Sequence, residues 1–303
     1  MNRINEFQSQ DSNVKIAAAF RRAYKMAKSW KTWIWLLTIL LSVLQLIVAI
    51  NIQKIIFFPT VNLAAYVTAT TLLMIMASTI GKHTKINKYV GLGSSLQRLH
   101  DFNVFGIGIK PSSIETPQSQ INRLSKKWLD KNSQDKPNLS EWWPARVSEL
   151  GKEKGIALCL LSTFRWETEL RKKYGVVLAM IFIVTTALSL FLMYSLNYRI
   201  EDYIVRILVP ISPFLGLLID EWLCNRTNID TASKCSDQCF QLWQSNGVDI
   251  SSELNQLSYL WNGYRANSNP IFDWLYWATQ KVMNEDMIID ANALVDEVLA
   301  QSQ

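Results

Sequence analysis

Three long stretches without a formal charge constrain this chain more than any other feature. They cover residues 32–53, 55–81 and 174–198 and are 22, 27 and 25 residues long. An α-helix needs roughly 20 mainly apolar residues to cross the hydrocarbon core of a bilayer. The sequence therefore predicts an integral membrane protein whose spans are α-helices.

A fourth apolar segment is less regular. It runs from Arg206 to Trp222 and contains Pro210 and Pro213. Because proline donates no backbone hydrogen bond, we expect a kink or local unwinding there. Carbonyls freed inside a membrane must be buried in protein or face water. A kinked span packed against its neighbours, a kink beside an aqueous path, and a re-entrant segment all remain open.

The flanking charges predict the orientation of these segments. Lysines and arginines dominate before the first stretch, and the middle region begins and ends with basic residues. An excess of Lys and Arg marks cytoplasmic flanks. We therefore predict four transmembrane helices as two hairpins, the first turning near Lys54, with mostly α-helical cytoplasmic regions and both termini cytoplasmic. The predicted order is a basic N-terminal helix, a hairpin, a cytoplasmic domain, a second hairpin and a helical C-terminal region: 1–31, 32–81, 82–173, 174–222 and 223–303.

Small polar residues recur at helical spacing inside the predicted spans, which carry no acid or base at their centres. That absence argues against a proton-coupled pump. Residues of this kind form helix–helix contacts in lipid, or they line a weakly polar pore once several subunits assemble. The candidates for either role, with the two prolines, are Thr38, Ser42, Gln45, Thr185, Ser189, Pro210 and Pro213.

The sequence contains few residues that could form a catalytic or metal-binding site. The chain has only two histidines, and its one closely spaced cysteine pair is Cys235 and Cys239. A zinc site normally needs a second such pair or nearby histidines. We therefore predict structural thiols, no catalytic residue, no metal and no cofactor, and a protein that is not an enzyme.

The segment TFRWETELRKKYG, just before the third stretch, suits an anionic aromatic ligand. Arginine binds phosphate through its planar fork, and tryptophan offers a face on which a base can stack. Arg165, Trp166 and Arg171 supply both kinds of group. The alternative is structural, because Glu167 and Arg171 lie at i and i+4 and can pair on a helix surface.

Four segments resemble the SMODS-associating four-transmembrane effectors, which are encoded beside synthetases of cyclic oligonucleotides in bacterial anti-phage (CBASS) systems. They are SLQRLHDFNVFGI, LSEWWP, CLLSTFRWETELRKKYG and GYRANSNPIFDWLYW. The matching residues are Gln97, Asp101, Val104, Phe105, Leu139, Trp142, Trp143, Pro144, Cys159, Trp166, Leu170, Arg171, Tyr174, Arg265, Pro270, Asp273, Trp274 and Tyr276. The chain departs from the family pattern after Cys159, where it reads Leu-Leu-Ser-Thr, and at Ser258 and Tyr259.

The resemblance implies a multi-pass protein of the bacterial inner membrane that binds a cyclic oligonucleotide, forms a homo-oligomer when active and permeabilises the membrane of an infected cell. Its partners would be that ligand and inner-membrane lipid, not duplex nucleic acid. The expected ligand-binding residues are Trp142, Trp143, Arg165, Trp166, Arg171, Tyr174, Arg265 and Trp274. Two alternatives remain: a membrane scaffold or receptor that recruits a cytoplasmic partner, and an enzyme acting on lipid or nucleotide.

Overall fold

The computed structural model describes residues 2–51, 63–245 and 249–301, and within these ranges it contains helices and no β-strand. The predicted hairpin turn at Lys54 lies outside the described residues. Two π-helical turns, Lys82–Ile86 and Ile204–Leu208, and two 3-10 turns, Ser133–Asp135 and Ala145–Glu149, accompany the α-helices. The α-helices are α1 Ile4–Ser9, α2 Asp11–Asn51, α3 Leu63–Gly81, α4 Asn87–Phe105, α5 Gln118–Leu129, α6 Lys136–Ser140, α7 Lys152–Ser195, α8 Ile200–Tyr203, α9 Val209–Gln244, α10 Ile250–Asn267 and α11 Asp273–Gln301.

The chain divides into two compact units. The first unit comprises Met1–Lys28, Asn87–Lys172 and Thr227–Gln303, and the second unit comprises Ser29–Ile86 and Lys173–Arg226. Helices α2, α7 and α9 each contribute residues to both units. The first unit therefore collects three segments that the sequence separates by apolar stretches.

Among the described residues, three helical segments are long and apolar enough to cross a membrane: Asp11–Ile50, Lys152–Ser195 and Ile200–Gln244. They include the first, third and fourth predicted spans. Helix α3 lies within the second uncharged stretch, whose first part falls outside the described residues. The α-helical membrane class is thus confirmed, and the two-hairpin layout stays a prediction.

In the second unit, the polar face predicted on the first span is buried within one chain. Thr38, Ser42 and Gln45 are all buried. The Thr38 hydroxyl donates to the Ile34 carbonyl at 2.8 Å, and the Gln45 amide donates to the Thr70 hydroxyl on α3. The contact between Gln45 and Thr70 favours the helix-contact interpretation for this face of α2.

The Thr185 and Ser189 hydroxyls on α7 bond carbonyls of their own helix. Thr185 donates to the Ile181 carbonyl at 2.8 Å, and Ser189 donates to the Thr186 carbonyl at 2.8 Å. The Ser189 hydroxyl also lies 3.1 Å from the Tyr203 hydroxyl in α8. Back-bonding of this kind lets a polar side chain sit in an apolar helix.

The chain stays helical through both prolines of the fourth segment. The π-turn Ile204–Leu208 ends two residues before Pro210, and α9 begins at Val209 and continues across Pro213. Pro213 cannot donate to the carbonyl of Val209, four residues earlier. The Ser212 hydroxyl at 2.9 Å and the Thr71 hydroxyl at 3.3 Å bond that carbonyl instead.

Removing both hydroxyls should therefore destabilise the second unit. An unsatisfied buried carbonyl costs about 1–3 kcal/mol, so the double variant Ser212→Ala/Thr71→Val should unfold at a lower temperature in detergent. Adding Pro213→Ala restores a backbone donor and should recover the loss. A triple variant no more stable than the double would show that the proline is not the cause.

The first unit is built around the N-terminal half of α7. Ile156, Leu158, Leu161 and Phe164 are almost completely buried and pack with residues of α9, α10 and α11. Helix α4 ends at Phe105 because Gly106 adopts a φ of 70°, a left-handed conformation that glycine takes without strain.

Candidate functional site

Three half-buried aromatic rings form a row in the first unit, which we call the aromatic row. It consists of Trp142, Trp166 and Tyr276, with ring centroids 6.3 Å apart for the first pair and 5.7 Å for the second. Trp142 precedes the 3-10 turn at Ala145, Trp166 lies on α7 and Tyr276 lies on α11. The Trp166 indole donates to the Asn284 side-chain oxygen at 3.1 Å, which fixes its orientation.

Cations from one face of α2 flank the aromatic row. The Arg21 guanidinium lies 5.8 Å from the Trp142 ring, and the Lys28 ammonium lies 5.3 Å from the Tyr276 ring. Their spacing of seven residues places them on the same side of the helix. Aromatic faces beside cations suit a ligand that is flat in one part and anionic in another.

Asp273 partly neutralises these cations. Its carboxylate is ion-paired to Lys25 and to Lys28, the latter at 3.0 Å. Burial alone would raise the pKa of Asp273, but the charge of Lys28 and the hydrogen bonds from both lysines outweigh it and hold the pKa below its usual value. The carboxylate therefore stays ionised at neutral pH and occupies a place that a ligand phosphate could take.

A second group of side chains is buried and ionic; we call it the buried network. Arg265 on α10 is ion-paired to Asp101 on α4, and its guanidinium lies 5.2 Å from the Trp261 ring. Trp261 stacks on Tyr264 with centroids 4.4 Å apart. The Arg171 guanidinium in turn lies 5.4 Å from the Tyr264 ring. Two arginines thus bracket one aromatic stack.

The ends of the buried network are tied by hydrogen bonds. Arg171 pairs with Glu167 at 2.8 Å and donates to the Asn269 carbonyl at 3.3 Å. The Tyr264 hydroxyl donates to Glu167 at 2.7 Å. Burial and the adjacent Glu167 charge raise the pKa of Tyr264 well above its usual value, so the phenol stays protonated and remains a donor.

Some buried polar atoms at the network's other end have no hydrogen-bond partner among the described residues. These include His100 Nε2, Trp143 Nε1 and Trp261 Nε1. His100 Nδ1 lies 3.6 Å from the Asp101 carboxylate, and its ring centroid lies 6.2 Å from that of Trp143. Leaving buried donors such as the two indole N–H groups unpaired costs free energy.

Comparison with known proteins places the chain in a family. The family model described as the SMODS-associating 4TM effector domain matches residues 2–294. The chain belongs to this family. It is also similar to a Bacillus cereus (strain VD146) protein named as a probable CBASS effector molecule, with 21% identity over 305 residues that cover 93% of this chain and 95% of the relative. No solved structure matches.

The segments that carry the resemblance to the SMODS-associating 4TM effectors meet in pairs within the first unit. SLQRLHDFNVFGI and GYRANSNPIFDWLYW meet through Asp101 and Arg265. LSEWWP and the segment that includes TFRWETELR meet through Trp142 and Trp166. The resemblance therefore follows contacts in the fold as well as order along the chain.

The predicted ligand residues fall into different places. Trp142 and Trp166 belong to the aromatic row, and Arg171 and Arg265 belong to the buried network. Trp143 packs on Phe105 beside His100, with ring centroids 4.8 Å apart for Trp143 and Phe105. The remaining three are Arg165, Tyr174 and Trp274.

Those three residues have other surroundings. The Arg165 guanidinium lies 5.4 Å from the Phe240 ring, and the Trp274 side chain is exposed. Tyr174 belongs to the second unit, where its hydroxyl donates to Glu221 at 3.1 Å and accepts from Lys31 at 3.1 Å. Their assignment to ligand binding stays a prediction.

Sequence reasoning missed the cations of the site. Arg21 and Lys28 lie in a basic segment whose positive charge also marks a cytoplasmic flank. Composition alone therefore could not show that these two cations lie beside aromatic rings. Their spacing with Lys25, at i, i+4 and i+7, was the available signal for one helical face.

Proposed function

We propose that this protein is an effector of a CBASS anti-phage system that binds a cyclic oligonucleotide in its first unit and then permeabilises the bacterial inner membrane. The family membership and the name of the Bacillus cereus relative support the effector role. The observation that carries the ligand proposal is the aromatic row with its flanking cations. A cyclic oligonucleotide combines stacking bases with phosphates, and both kinds of group find partners there.

Binding would use the row and its cations together. A base stacks on the half-buried Trp142 or Trp166, since base–aromatic stacking contributes about 1–3 kcal/mol per base. A phosphate then pairs with Arg21 and competes with Asp273 for Lys28. Charge-assisted hydrogen bonds of this kind are stronger than neutral ones.

Neighbouring residues couple the aromatic row to the buried network. Trp142 and Trp166 belong to the aromatic row. The residue after Trp142 is Trp143, which borders the buried network, and the residue after Trp166 is Glu167, which belongs to it. Helix α7 carries Trp166 and Arg171 and continues into the second unit. A ligand that shifts Trp166 thereby acts on a helix shared with the spans. It can shift the closed–open equilibrium only by its different affinity for the two states.

The way in which three separate chain segments form the first unit supports the predicted two-hairpin topology. Its three segments, 1–28, 87–172 and 227–303, form one compact body, which supports their lying on the same side of the membrane. Residues 29–86 and 173–226 then each cross an even number of times. With the basic flanks, this favours a cytoplasmic location for both termini and the first unit.

A pore would require several copies of the chain. The polar face of α2 is buried within one chain, and the second unit exposes large apolar side chains such as Leu73, Ile183 and Phe191. These surfaces suit lipid or the spans of another copy. The proposed permeation path therefore lies between assembled subunits.

The test is release of a dye from liposomes that contain the full-length protein, across a panel of cyclic di- and trinucleotides. Wild type should release dye with one cyclic nucleotide and not with its linear form. Arg21→Gln removes one charge-assisted contact worth about 1.5–3 kcal/mol, so the half-maximal nucleotide concentration should rise roughly 10- to 100-fold. Lys15→Gln is the matched control, because Lys15 lies on the same helix, is exposed and pairs locally with Asp11.

Two results would contradict the proposal. No release from correctly inserted wild type with any nucleotide would remove the pore and favour a scaffold that recruits a cytoplasmic partner. An equal response of Arg21→Gln and Lys15→Gln would remove the aromatic row from ligand binding. The second outcome leaves the effector role itself standing.

A further inference from the structure

The first two turns of α11 carry exposed tryptophans. The side chains of Trp274 and Trp277 are 54% and 68% exposed. Trp277 lies edge-on to Tyr276 with ring centroids 5.4 Å apart, so it extends outward from the aromatic row. Large exposed indoles are costly in water and indicate a surface that something apolar covers.

The start of α11 is fixed to a particular turn of α2. Asp273, the first residue of α11, is ion-paired to Lys25 and Lys28. Lys28 lies three residues before Lys31, after which the first uncharged stretch begins. At 1.5 Å per residue, Lys28 is within about 6 Å of that stretch along the helix axis.

This turn of α2 has the composition of a membrane–water interface. Trp30 and Trp33 follow Lys28 closely and are both exposed. Tryptophan is enriched where a span meets the headgroups, because its ring is amphipathic. Basic residues at this level attract anionic lipid, by about 1 kcal/mol each near the surface.

From these contacts we infer that Trp274 and Trp277 form a second membrane contact, in which the start of α11 inserts its indoles among the headgroups of the inner leaflet. We call Trp274 and Trp277 the indole anchor. The inference requires that the protein sits in a bilayer; it requires neither nucleotide binding nor a pore.

Charge along α11 limits the anchor to its beginning. Lys281 is the last basic residue of the chain, and Glu285, Asp286 and Asp290 follow it. The part up to Lys281 carries one acid and one base, Asp273 and Lys281, so anionic headgroups do not repel it, whereas they repel the acidic part that follows. Ile288 and Ile289 are exposed apolar residues on the acidic part of the helix. They are therefore an internal control, since a general apolar contact would include them and a lipid contact would not.

The anchor gives the first unit a point of membrane contact beside the candidate site. Tyr276 faces Trp166 and Lys28, whereas its neighbour Trp277 is exposed. A ligand that displaces Asp273 from Lys28 would break an ion pair that holds the indole anchor beside the membrane-proximal turn of α2. Lipid composition would then influence the response to the ligand.

The experiment places a nitroxide label at position 277 or 289 in the full-length chain. Trp277→Cys and Ile289→Cys are made in a Cys224→Ser background, because the other three cysteines are buried. Each protein is reconstituted in phosphatidylethanolamine vesicles that contain 0, about 20 or about 40% phosphatidylglycerol, a range chosen to vary the anionic surface charge. Relaxation of the label by oxygen, which partitions into lipid, is compared with relaxation by a water-soluble nickel chelate.

We expect the label at 277 to favour oxygen, increasingly so with more phosphatidylglycerol, and the label at 289 to favour the nickel chelate. A water-like result at both positions would overturn the inference. Protection from both reagents at both positions would also overturn it, because it would mean that protein, such as a second copy, covers α11. Helicity and elution volume equal to wild type establish that each labelled protein is folded.

Discussion

Replacing Glu221 by glutamine is expected to destabilise the second unit strongly. The carboxylate of Glu221 pairs with the Lys31 ammonium at 2.6 Å, and their side chains are only 6% and 3% exposed. The Tyr174 hydroxyl donates to the same carboxylate oxygen, so helices α2, α7 and α9 meet at this point. Removing one charge of a buried pair costs about 3–5 kcal/mol because the other charge is left uncompensated.

The adjacent residue provides a matched control. Asp220 also pairs with a lysine, Lys82, at 2.6 Å, but its side chain is 57% exposed. Exposed pairs contribute about 0–1 kcal/mol. Glu221→Gln should therefore unfold at a clearly lower temperature in detergent, while Asp220→Asn should stay close to wild type.

A double variant separates charge compensation from packing. Lys31→Met combined with Glu221→Gln removes both charges and should recover much of the stability lost in Glu221→Gln. An equal loss for Asp220→Asn and Glu221→Gln, or no recovery in the double variant, would contradict the role of the ion pair. Thermal unfolding followed by circular dichroism is the measurement for all variants.

The membrane helices were predictable because their signal is simple. An uncharged apolar run that is long enough to cross a bilayer indicates a transmembrane helix by its length and composition alone. The continuation of α9 to Gln244 was not predicted, since the apolar pattern ends near Trp222. After that point the helix continues through polar residues because they pack into the first unit. Tertiary packing of this kind cannot be recognised from the local amino-acid composition.

The behaviour of the proline segment was predictable in kind but not in detail. Loss of a backbone donor at Pro213 follows from chemistry alone. That Ser212 and Thr71 would compensate depends on where α3 packs, which the sequence does not reveal.

The sequence predicted the types of residue in the candidate site, but it predicted less well which of these residues contact one another. Trp142 and Trp166 were both candidates, and they do meet. Arg171 looked like a surface residue or a free ligand contact, but it is buried between Glu167 and Tyr264. A charge reversal there would disrupt the fold and would not report on a ligand. Long-range pairing, such as Arg265 with Asp101, requires the tertiary structure.

Replacing Asp101 by asparagine is expected to remove an acid-sensitive part of the first unit's stability. Burial alone would raise the pKa of Asp101, but the charge of Arg265 and the interactions with His100 and Arg265 outweigh it, so the pKa is lowered. A carboxylate with a depressed pKa in the folded state contributes stability above its unfolded pKa, about 3.9. That contribution disappears as the pH falls through the folded value.

Wild type should therefore lose stability on acidification below about pH 4, and part of that pH dependence should be missing in Asp101→Asn. At neutral pH the variant leaves the buried Arg265 guanidinium without its carboxylate, which costs about 3–5 kcal/mol. Arg265→Lys is the companion variant: it keeps the positive charge but loses the planar group that lies over Trp261 and reaches Asp101. If Arg265→Lys matched wild type while Asp101→Asn was unstable, the network would depend on charge alone. If both variants were unstable, the planar contact with Trp261 would be as necessary as the ion pair, and the arginine would then be the residue that joins the aromatic stack to α4.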